Sequence, residues 1–181
     1  MRIVGGKHKG RALKAPDGRI ARPTADRARE SLFNILAHSD LVDLEGAVVV
    51  DCFAGSGGLG LEALSRGAAR VSFVESHPKS IEAIRANLAT LKEQAEIVRS
   101  DATRLPKAVQ ACTLALLDPP YQSDLAVPAL QSLAAQGWLA DGALTVVEVA
   151  AKEAFAAPAG FEIQDERIYG AARLIFLLYR A

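Results

Sequence analysis

The chain has 181 residues, half of them hydrophobic, and its formal net charge is zero. This length fits one domain with a full core, and the composition excludes long disordered segments. No apolar run is long enough to cross a bilayer, and the basic start lacks the apolar core of a secretion signal. We therefore expect a cytoplasmic protein that does not contact membranes.

The neutral total conceals an uneven distribution of charge. Residues 1–29 contain nine Lys and Arg side chains against only Asp17 and Asp26, so the rest of the chain is net acidic. A basic segment on such a body is typical of proteins that bind a polyphosphate partner.

Cysteine and histidine give no sign of a metal site. Cys52 and Cys112 lie in or beside apolar runs, which predicts small buried side chains rather than a disulfide. The histidines are isolated and lack ligand spacing, so we expect no metal.

The first predicted elements form a basic extension. Two short extended pieces, residues 2–4 and 11–13, are separated by glycines and predict a hairpin. Apolar residues at helical spacing after Pro23 predict a helix over about 25–38. We assign residues 1–40 to this extension and residues 41–181 to an α/β domain.

From residue 47 onwards, predicted strands alternate with helices, which is typical of a mostly parallel sheet covered on both faces. The short connection between the last two strands predicts an antiparallel pair, because parallel neighbours need a long crossover. The predicted strands are 47–51, 70–75, 95–99, 113–118, 143–149, 161–168 and 173–179, and the predicted helices are 57–66, 78–91, 103–110 and 124–136.

A glycine-rich loop after the first strand of this domain predicts a cofactor site. Residues 55–60 read Gly-Ser-Gly-Gly-Leu-Gly, and Glu75 ends the next strand, where a carboxylate can bind ribose hydroxyls. Both features occur with nicotinamide dinucleotides and with S-adenosylmethionine. Asp51 favours S-adenosylmethionine, because a carboxylate before the glycines attracts an ammonium group and repels a pyrophosphate.

Two further features support this choice. The loop is longer than a dinucleotide turn, and Asp101 follows the third strand, where it could accept a hydrogen bond from an adenine amine. Helix capping is the alternative role for Asp101. The predicted cofactor contacts are Asp51, Phe53, Ala54, Gly55, Ser56, Gly57, Glu75, Asp101 and Ala102.

An apolar strand ends in the turn Asp118-Pro119-Pro120-Tyr121. Ring amines are poor nucleophiles, so their hydrogens must be drawn into acceptors such as the Asp118 carboxylate and the Pro119 carbonyl. Tyr121 offers a ring on which a base can stack. We therefore predict that residues 118–121 form the catalytic turn of a methyltransferase that acts on a ring amine, although such turns also simply end strands.

Several segments of the chain together resemble the RsmD family of 16S ribosomal RNA guanine-N2 methyltransferases. The residues that carry the resemblance are Arg2–Lys7, Gly10–Leu13, Arg22–Leu36, Asp51–Arg66 and Asp118–Tyr121. The segment Arg22-Pro-Thr-Ala-Asp-Arg-Ala-Arg-Glu30 is the most specific, since generic methyltransferases lack it.

The resemblance implies a Rossmann-like class I methyltransferase with a seven-stranded sheet, S-adenosylmethionine as cofactor and N2 of a guanine in small-subunit RNA as the target. It also implies a substrate already assembled with ribosomal proteins; we expect the enzyme to be a monomer. We predict phosphate contacts from Lys7, Lys9, Arg11, Arg22, Arg27 and Arg29.

Three other functions share part of these features. A DNA methyltransferase for adenine N6 or cytosine N4 would have both motifs, but this chain has no spare length for a target-recognition region. A non-catalytic RNA-binding assembly factor would not need the Asp118–Tyr121 turn. A dehydrogenase would share only the glycine loop.

Overall fold

A computed structural model describes residues 1–16 and 23–181, with the backbone alone described for residues 23–26. Arg22, one of the cations predicted to contact phosphate, lies outside the described residues.

Four helices and seven strands make up the described chain. The helices are α1 (Pro23–Ala37), α2 (Gly58–Ser65), α3 (Pro78–Leu91) and α4 (Ala126–Ala135). The strands are β1 (Val48–Cys52), β2 (Arg70–Glu75), β3 (Glu96–Arg99), β4 (Cys112–Leu117), β5 (Leu139–Ala150), β6 (Phe161–Tyr169) and β7 (Ala172–Tyr179).

The strands form one sheet in the order β3-β2-β1-β4-β5-β7-β6. Neighbours from β3 to β5 pair in parallel, whereas β7 is antiparallel to both β5 and β6. This confirms the predicted mostly parallel sheet with an antiparallel last strand. The carboxyl ends of β1, β2, β4 and β5 consequently meet at one edge of the sheet, which is where ligands bind in folds of this kind.

Apolar side chains cover both faces of the sheet. Successive residues of a strand point to opposite faces, so Val49 and Leu114 join the core on one side, while Val50 and Ala115 join the core on the other. Strands that are buried on both faces read as continuous apolar runs, which explains why β1 and β4 were recognisable in the sequence.

The basic extension packs into the first of these cores. Arg2 and Ala12 form an antiparallel bridge around a 3-10 turn at Gly6–His8, in agreement with the predicted hairpin. Ile3 and Phe33 are fully buried in the same cluster as Leu61 of α2. The division of the chain at residue 40 remains a prediction, since the two parts share this core.

The predicted helix at 103–110 is wrong, because this segment forms turns and extended chain. Pro106 cannot donate a helical hydrogen bond and clashes with the preceding turn. The backbone bonds instead to the α4 region: the Leu105 amide donates to Ser132 Oγ at 2.9 Å, and the Ala108 amide donates to the Gln136 carbonyl at 2.9 Å.

Both cysteines are buried free thiols, as predicted. Within residues 1–16 and 23–181, no helix is both long and apolar enough to cross a membrane.

Candidate functional site

Two adjoining cavities open at the carboxyl edge of the sheet. The larger has a volume of about 800 Å³ and the smaller about 210 Å³. Phe53, Gly55, Asp118 and Glu148 line both cavities, so these side chains and the glycine loop separate one space from the other. The glycine loop, Glu75, Asp101 and the Asp118–Tyr121 turn, all predicted from the sequence, therefore meet at these two adjoining cavities.

The glycine loop turns sharply between β1 and α2. Gly57 has φ of 84°, in the left-handed region, where glycine carries no steric cost. Gly60 packs against β2, and a Cβ there would overlap the Phe73 ring and lie 2.8 Å from Val71 Cγ1. Gly60 thus lets α2 approach the sheet closely. Gly55 and Gly58 line the cavities, whereas the predicted contact Gly57 faces Phe73, Leu61 and Ile84 of the core.

Glu75 at the end of β2 is held by backbone donors. Its Oε2 accepts a hydrogen bond from the Gly55 amide at 2.7 Å, and its Oε1 accepts bonds from the Ser76 and His77 amides at 2.8 Å. The carboxylate lines the larger cavity, and its remaining lone pairs can accept further hydrogen bonds. This is a rigid acceptor in the position expected for ribose recognition.

Asp51 lies at the carboxyl end of β1 and is almost fully buried. Its Oδ2 accepts a hydrogen bond from the Gly60 amide at 2.8 Å. Burial raises the pKa of Asp51 to about 8, the Gly60 bond opposes this shift, and the charges of Asp118 and Glu75 add to it. A cationic ligand in the smaller cavity would relieve that cost, because an opposite charge favours the ionised carboxylate.

Asp101 and Ala102 line the larger cavity beyond β3. Asp101 Oδ1 accepts hydrogen bonds from the amide and the hydroxyl of Thr103, both at 2.9 Å. These bonds lower the pKa of Asp101. The predicted alternative, capping of a following helix, does not apply because no helix follows.

Asp118 follows β4 directly and marks the junction of the two cavities. Burial by the surrounding protein, with a smaller contribution from Glu148, raises the pKa of Asp118 to about 7. Asp118 is nevertheless exposed to the cleft, so water reduces this rise in its pKa. A ligand that displaces the water would increase the rise. The Asp118 carboxyl group can therefore gain or lose a proton near neutral pH.

Tyr121 belongs to the predicted catalytic turn, whereas Glu148 was not predicted as a site residue, but the structure places them together. The Tyr121 hydroxyl donates a hydrogen bond to Glu148 Oε1 at 2.6 Å. Glu148 also lines both cavities. The available signal was an acid ending the apolar run of β5, as Asp118 ends that of β4.

Arg29 differs from the expected phosphate contact, because its side chain is only 6% exposed. Its guanidinium donates to the Arg2 carbonyl, and its Nε lies 3.8 Å from Glu62 Oε2. Residue 29 shares the buried face of α1 with Leu32, Phe33 and Leu36, which turns it inward. Arg29 therefore lines the smaller cavity and does not belong to an exposed basic surface.

The other cations predicted to contact phosphates are on the surface wherever the structure describes them. Lys9, Arg11 and Arg27 are exposed. Lys7 is also exposed but pairs with Glu93 at 2.7 Å. The structure thus leaves a basic surface at the extension without Arg29.

The cleft suits S-adenosylmethionine in size and in donor chemistry. Drug-sized ligands occupy cavities of roughly 300–1,000 Å³, and the larger cavity falls in that range. Asp51 fits an ammonium group, Arg29 fits a carboxylate, Glu75 fits ribose hydroxyls, and Asp101 fits an adenine amine. A pyrophosphate, by contrast, would be repelled by the carboxylates of Asp51 and Glu75.

Comparison with known proteins agrees with this geometry. Residues 1–178 match the family described as conserved hypothetical protein 95. The chain belongs to this family. It is 40% identical to ribosomal RNA small subunit methyltransferase D of Escherichia coli strain K12, covering 99% of this chain and 89% of that protein. It is 35% identical to the protein of the same name from Haemophilus influenzae, covering 94% and 89% of the two chains.

Solved structures give the same result for the fold. The Escherichia coli protein yhhF superposes with a TM-score of 0.83 and 36% identity, covering 100% of this chain and 98% of that one. A magnesium protoporphyrin IX methyltransferase from Synechocystis has only 17% identity but a TM-score of 0.63, covering 91% and 87% of the two chains. The family of this chain therefore has the class I methyltransferase fold, whose cofactor is S-adenosylmethionine.

Proposed function

We propose that this protein transfers the methyl group of S-adenosylmethionine to the exocyclic N2 amine of one guanine in 16S ribosomal RNA, within assembled small subunits and as a cytoplasmic monomer. Methylation of small-subunit RNA follows from the family and its named relatives. The choice of an exocyclic ring amine rests on one observation, the Asp118–Tyr121 turn at the junction of two cavities, and the choice of guanine N2 follows the resemblance to the RsmD family.

The cofactor supplies an electrophilic methyl group on a sulfonium when it is bound. Asp51 and Arg29 would hold the charged groups at its amino-acid end, since both line the smaller cavity. Glu75 and Asp101 would hold its adenosine, since both line the larger cavity. Asp118 lines both cavities and would therefore face the reacting group.

Asp118 and the Pro119 carbonyl accept the two hydrogens of the amine. Drawing both hydrogens into acceptors rotates the nitrogen lone pair towards the methyl group, which a delocalised amine does not otherwise present. Tyr121 stacks on the base, a contact worth about 1–3 kcal/mol in nucleic-acid sites. As the new bond forms, the amine becomes acidic and Asp118 is positioned to accept its proton.

The basic extension orients the RNA without reading its sequence. Lys9, Arg11 and Arg27 are exposed and contact phosphates, which position a nucleic acid but carry no base information. The target guanine is consequently selected by the assembled RNA that presents it and by the base pocket.

Mass spectrometry of small-subunit RNA from cells with and without the gene tests the proposal. We expect one N2-methylguanosine to disappear on deletion and to return with the wild-type gene but not with Asp118→Ala. Purified enzyme should methylate undermodified small subunits better than naked 16S RNA, and DNA not at all. Methylated adenine or cytosine in DNA would instead support the DNA methyltransferase, and unchanged RNA in every strain would support the non-catalytic factor.

A further inference from the structure

Glu148 is the neighbour of Asp118 on the adjacent strand. Leu117 pairs with Val147 in the parallel register of β4 and β5, so the next residue of each strand lies side by side at the carboxyl edge. Glu148 lines both cavities and its charge contributes to the raised pKa of Asp118. Two carboxylates therefore face the space that receives the target base.

Tyr121 orients Glu148 but does not exhaust its acceptors. The 2.6 Å bond from the Tyr121 hydroxyl reaches Oε1. A carboxylate offers two oxygens with about four acceptor positions, so Oε2 can accept a hydrogen bond from a ligand. The Tyr121 ring can thereby stack on the face of a base while the Glu148 carboxylate accepts a hydrogen bond from its edge.

We propose that Glu148 determines base specificity by accepting a hydrogen bond from N1–H of the guanine while Asp118 accepts one from the N2 amine. This inference rests on the proposed function and extends it to the recognition of the base. N1–H and the N2 amine are adjacent donors on the Watson–Crick edge of guanine. They match the adjacent acceptors Asp118 and Glu148 one to one.

The same pair rejects the other amine-bearing bases. Adenine has a ring acceptor at N1 beside its amine, and cytosine has one at N3, so either would place a lone pair against the Glu148 carboxylate. In a partly desolvated site, two acceptors that face each other both stay without a hydrogen bond, which costs free energy. The site therefore selects against adenine and cytosine as well as for guanine.

The base analogue 2-aminopurine tests this role because it keeps the N2 amine and lacks N1–H. Small subunits are reconstituted with 16S RNA that carries either guanine or 2-aminopurine at the methylated position. We expect the wild-type enzyme to prefer guanine in kcat/KM by at least about 10-fold, as a specific base contact does. Glu148→Gln should reduce this preference to about 3-fold or less, because its amide can donate to the unprotonated N1.

Tyr121→Phe is the matched control, since it removes the same hydrogen bond but keeps the carboxylate. We expect this variant to retain the wild-type preference for guanine. An unchanged preference in Glu148→Gln would overturn the proposal. An equal loss of preference in both variants would also overturn it, since Glu148 would then act only by holding Tyr121.

Measurements of cofactor and RNA binding distinguish a failure of this inference from a failure of the proposed function. Calorimetry should show that Glu148→Gln binds S-adenosylmethionine as the wild type does, which verifies its fold. If its turnover is too low to measure, competition between the two RNAs in the presence of S-adenosylhomocysteine gives the ratio of their affinities, in which Glu148→Gln should lose the preference for guanine and Tyr121→Phe should keep it. Failure of the wild type to methylate the guanine substrate contradicts the proposed function itself, whereas methylation without the difference between variants contradicts only the role of Glu148.

Discussion

Asp51 and Asp118 sit on neighbouring strand ends, and burial raises their pKa values to about 8 and about 7. The two groups differ in what they face. Asp51 is enclosed and bonded to the Gly60 amide, whereas Asp118 opens to the cleft at the junction of the cavities. Asp51 is suited to bind a cationic group of a ligand, and Asp118 is suited to accept a proton from a substrate.

Replacing Asp118 with Ala should reduce turnover at least about 100-fold, the usual contribution of a positioned acid–base group. Cofactor binding should be nearly unchanged, because the proposed cofactor contacts lie elsewhere. Single-turnover methylation and calorimetry measure the two effects. Asp141→Ala, at the opposite edge of the sheet, is the control, and a wild-type rate in Asp118→Ala would exclude Asp118 from the mechanism.

The pH dependence of wild-type turnover should also report Asp118. Its carboxylate accepts the amine hydrogens only when ionised, so the rate should fall as the pH drops below about 7. A pH profile of kcat/KM measures this limb, because kcat/KM reports the ionisation of the free enzyme. A rate that stays flat down to pH about 5 would contradict the raised pKa.

Asp51 should make the unliganded protein less stable as pH rises. Its folded pKa of about 8 exceeds the ordinary value of 3.8, so the folded chain holds a proton that the unfolded chain releases between these values. The free energy of unfolding should therefore decrease from pH about 4 to about 8, by on the order of a few kcal/mol.

Denaturant titrations across this range compare the wild type with Asp51→Asn. The amide keeps an acceptor for Gly60 but carries no charge, so much of the slope should disappear. Asp40→Asn, an exposed change, should keep the slope. A wild-type slope in Asp51→Asn would show that burial does not raise the pKa of Asp51.

At the scale of elements, α2 must approach the sheet closely to place the glycine loop. Gly60 has no room for a Cβ against Phe73 and Val71. Gly60→Ala should destabilise the fold by about 1–3 kcal/mol through overpacking, despite the better helix propensity of alanine.

Gly58→Ala provides a matched control in the same helix. Its Cβ would meet Met1 Sδ at 2.9 Å, the flexible end of a side chain that can move. Chemical denaturation should therefore show a smaller loss for Gly58→Ala than for Gly60→Ala. Equal losses would mean that packing against Phe73 does not set the position of α2.

The buried ion pairs join the extension to the rest of the molecule. Glu62 of α2 is fully buried, and it accepts bonds from the Val4 amide at 2.8 Å and from Arg66 Nε at 2.7 Å. Arg29 approaches the same carboxylate from α1. The hairpin, α1 and α2 are therefore held in one arrangement, which keeps the exposed cations on a fixed surface.

That surface should account for part of the salt dependence of RNA binding. Lys9→Ala and Arg11→Ala should each weaken RNA affinity and reduce the slope of log K against log salt by about 1 for each phosphate that the protein no longer neutralises. Fluorescence anisotropy at several salt concentrations measures both. Arg70→Ala, at the amino end of β2, should leave the slope unchanged, and an unchanged slope in the extension variants would exclude their phosphate role.

Local sequence determined much of this protein. Continuous apolar runs indicated β1 and β4, glycines indicated the loop after β1, and the acid and prolines after residue 117 indicated the turn that we propose to be catalytic. These features could be predicted from the sequence because each depends on residues that are adjacent in the chain. The helix predicted at 103–110 was wrong because Pro106 and hydrogen bonds to Ser132 and Gln136 outweighed local periodicity.

Only the tertiary structure decided which distant side chains meet. Strand register brought Glu148 beside Asp118, across 30 positions of the chain. The buried face of α1 turned Arg29 towards the smaller cavity, although its charge alone resembled that of the cations predicted to contact phosphate. Burial and long-range pairing are properties of the packed sheet, and neither is encoded in the spacing of a single segment.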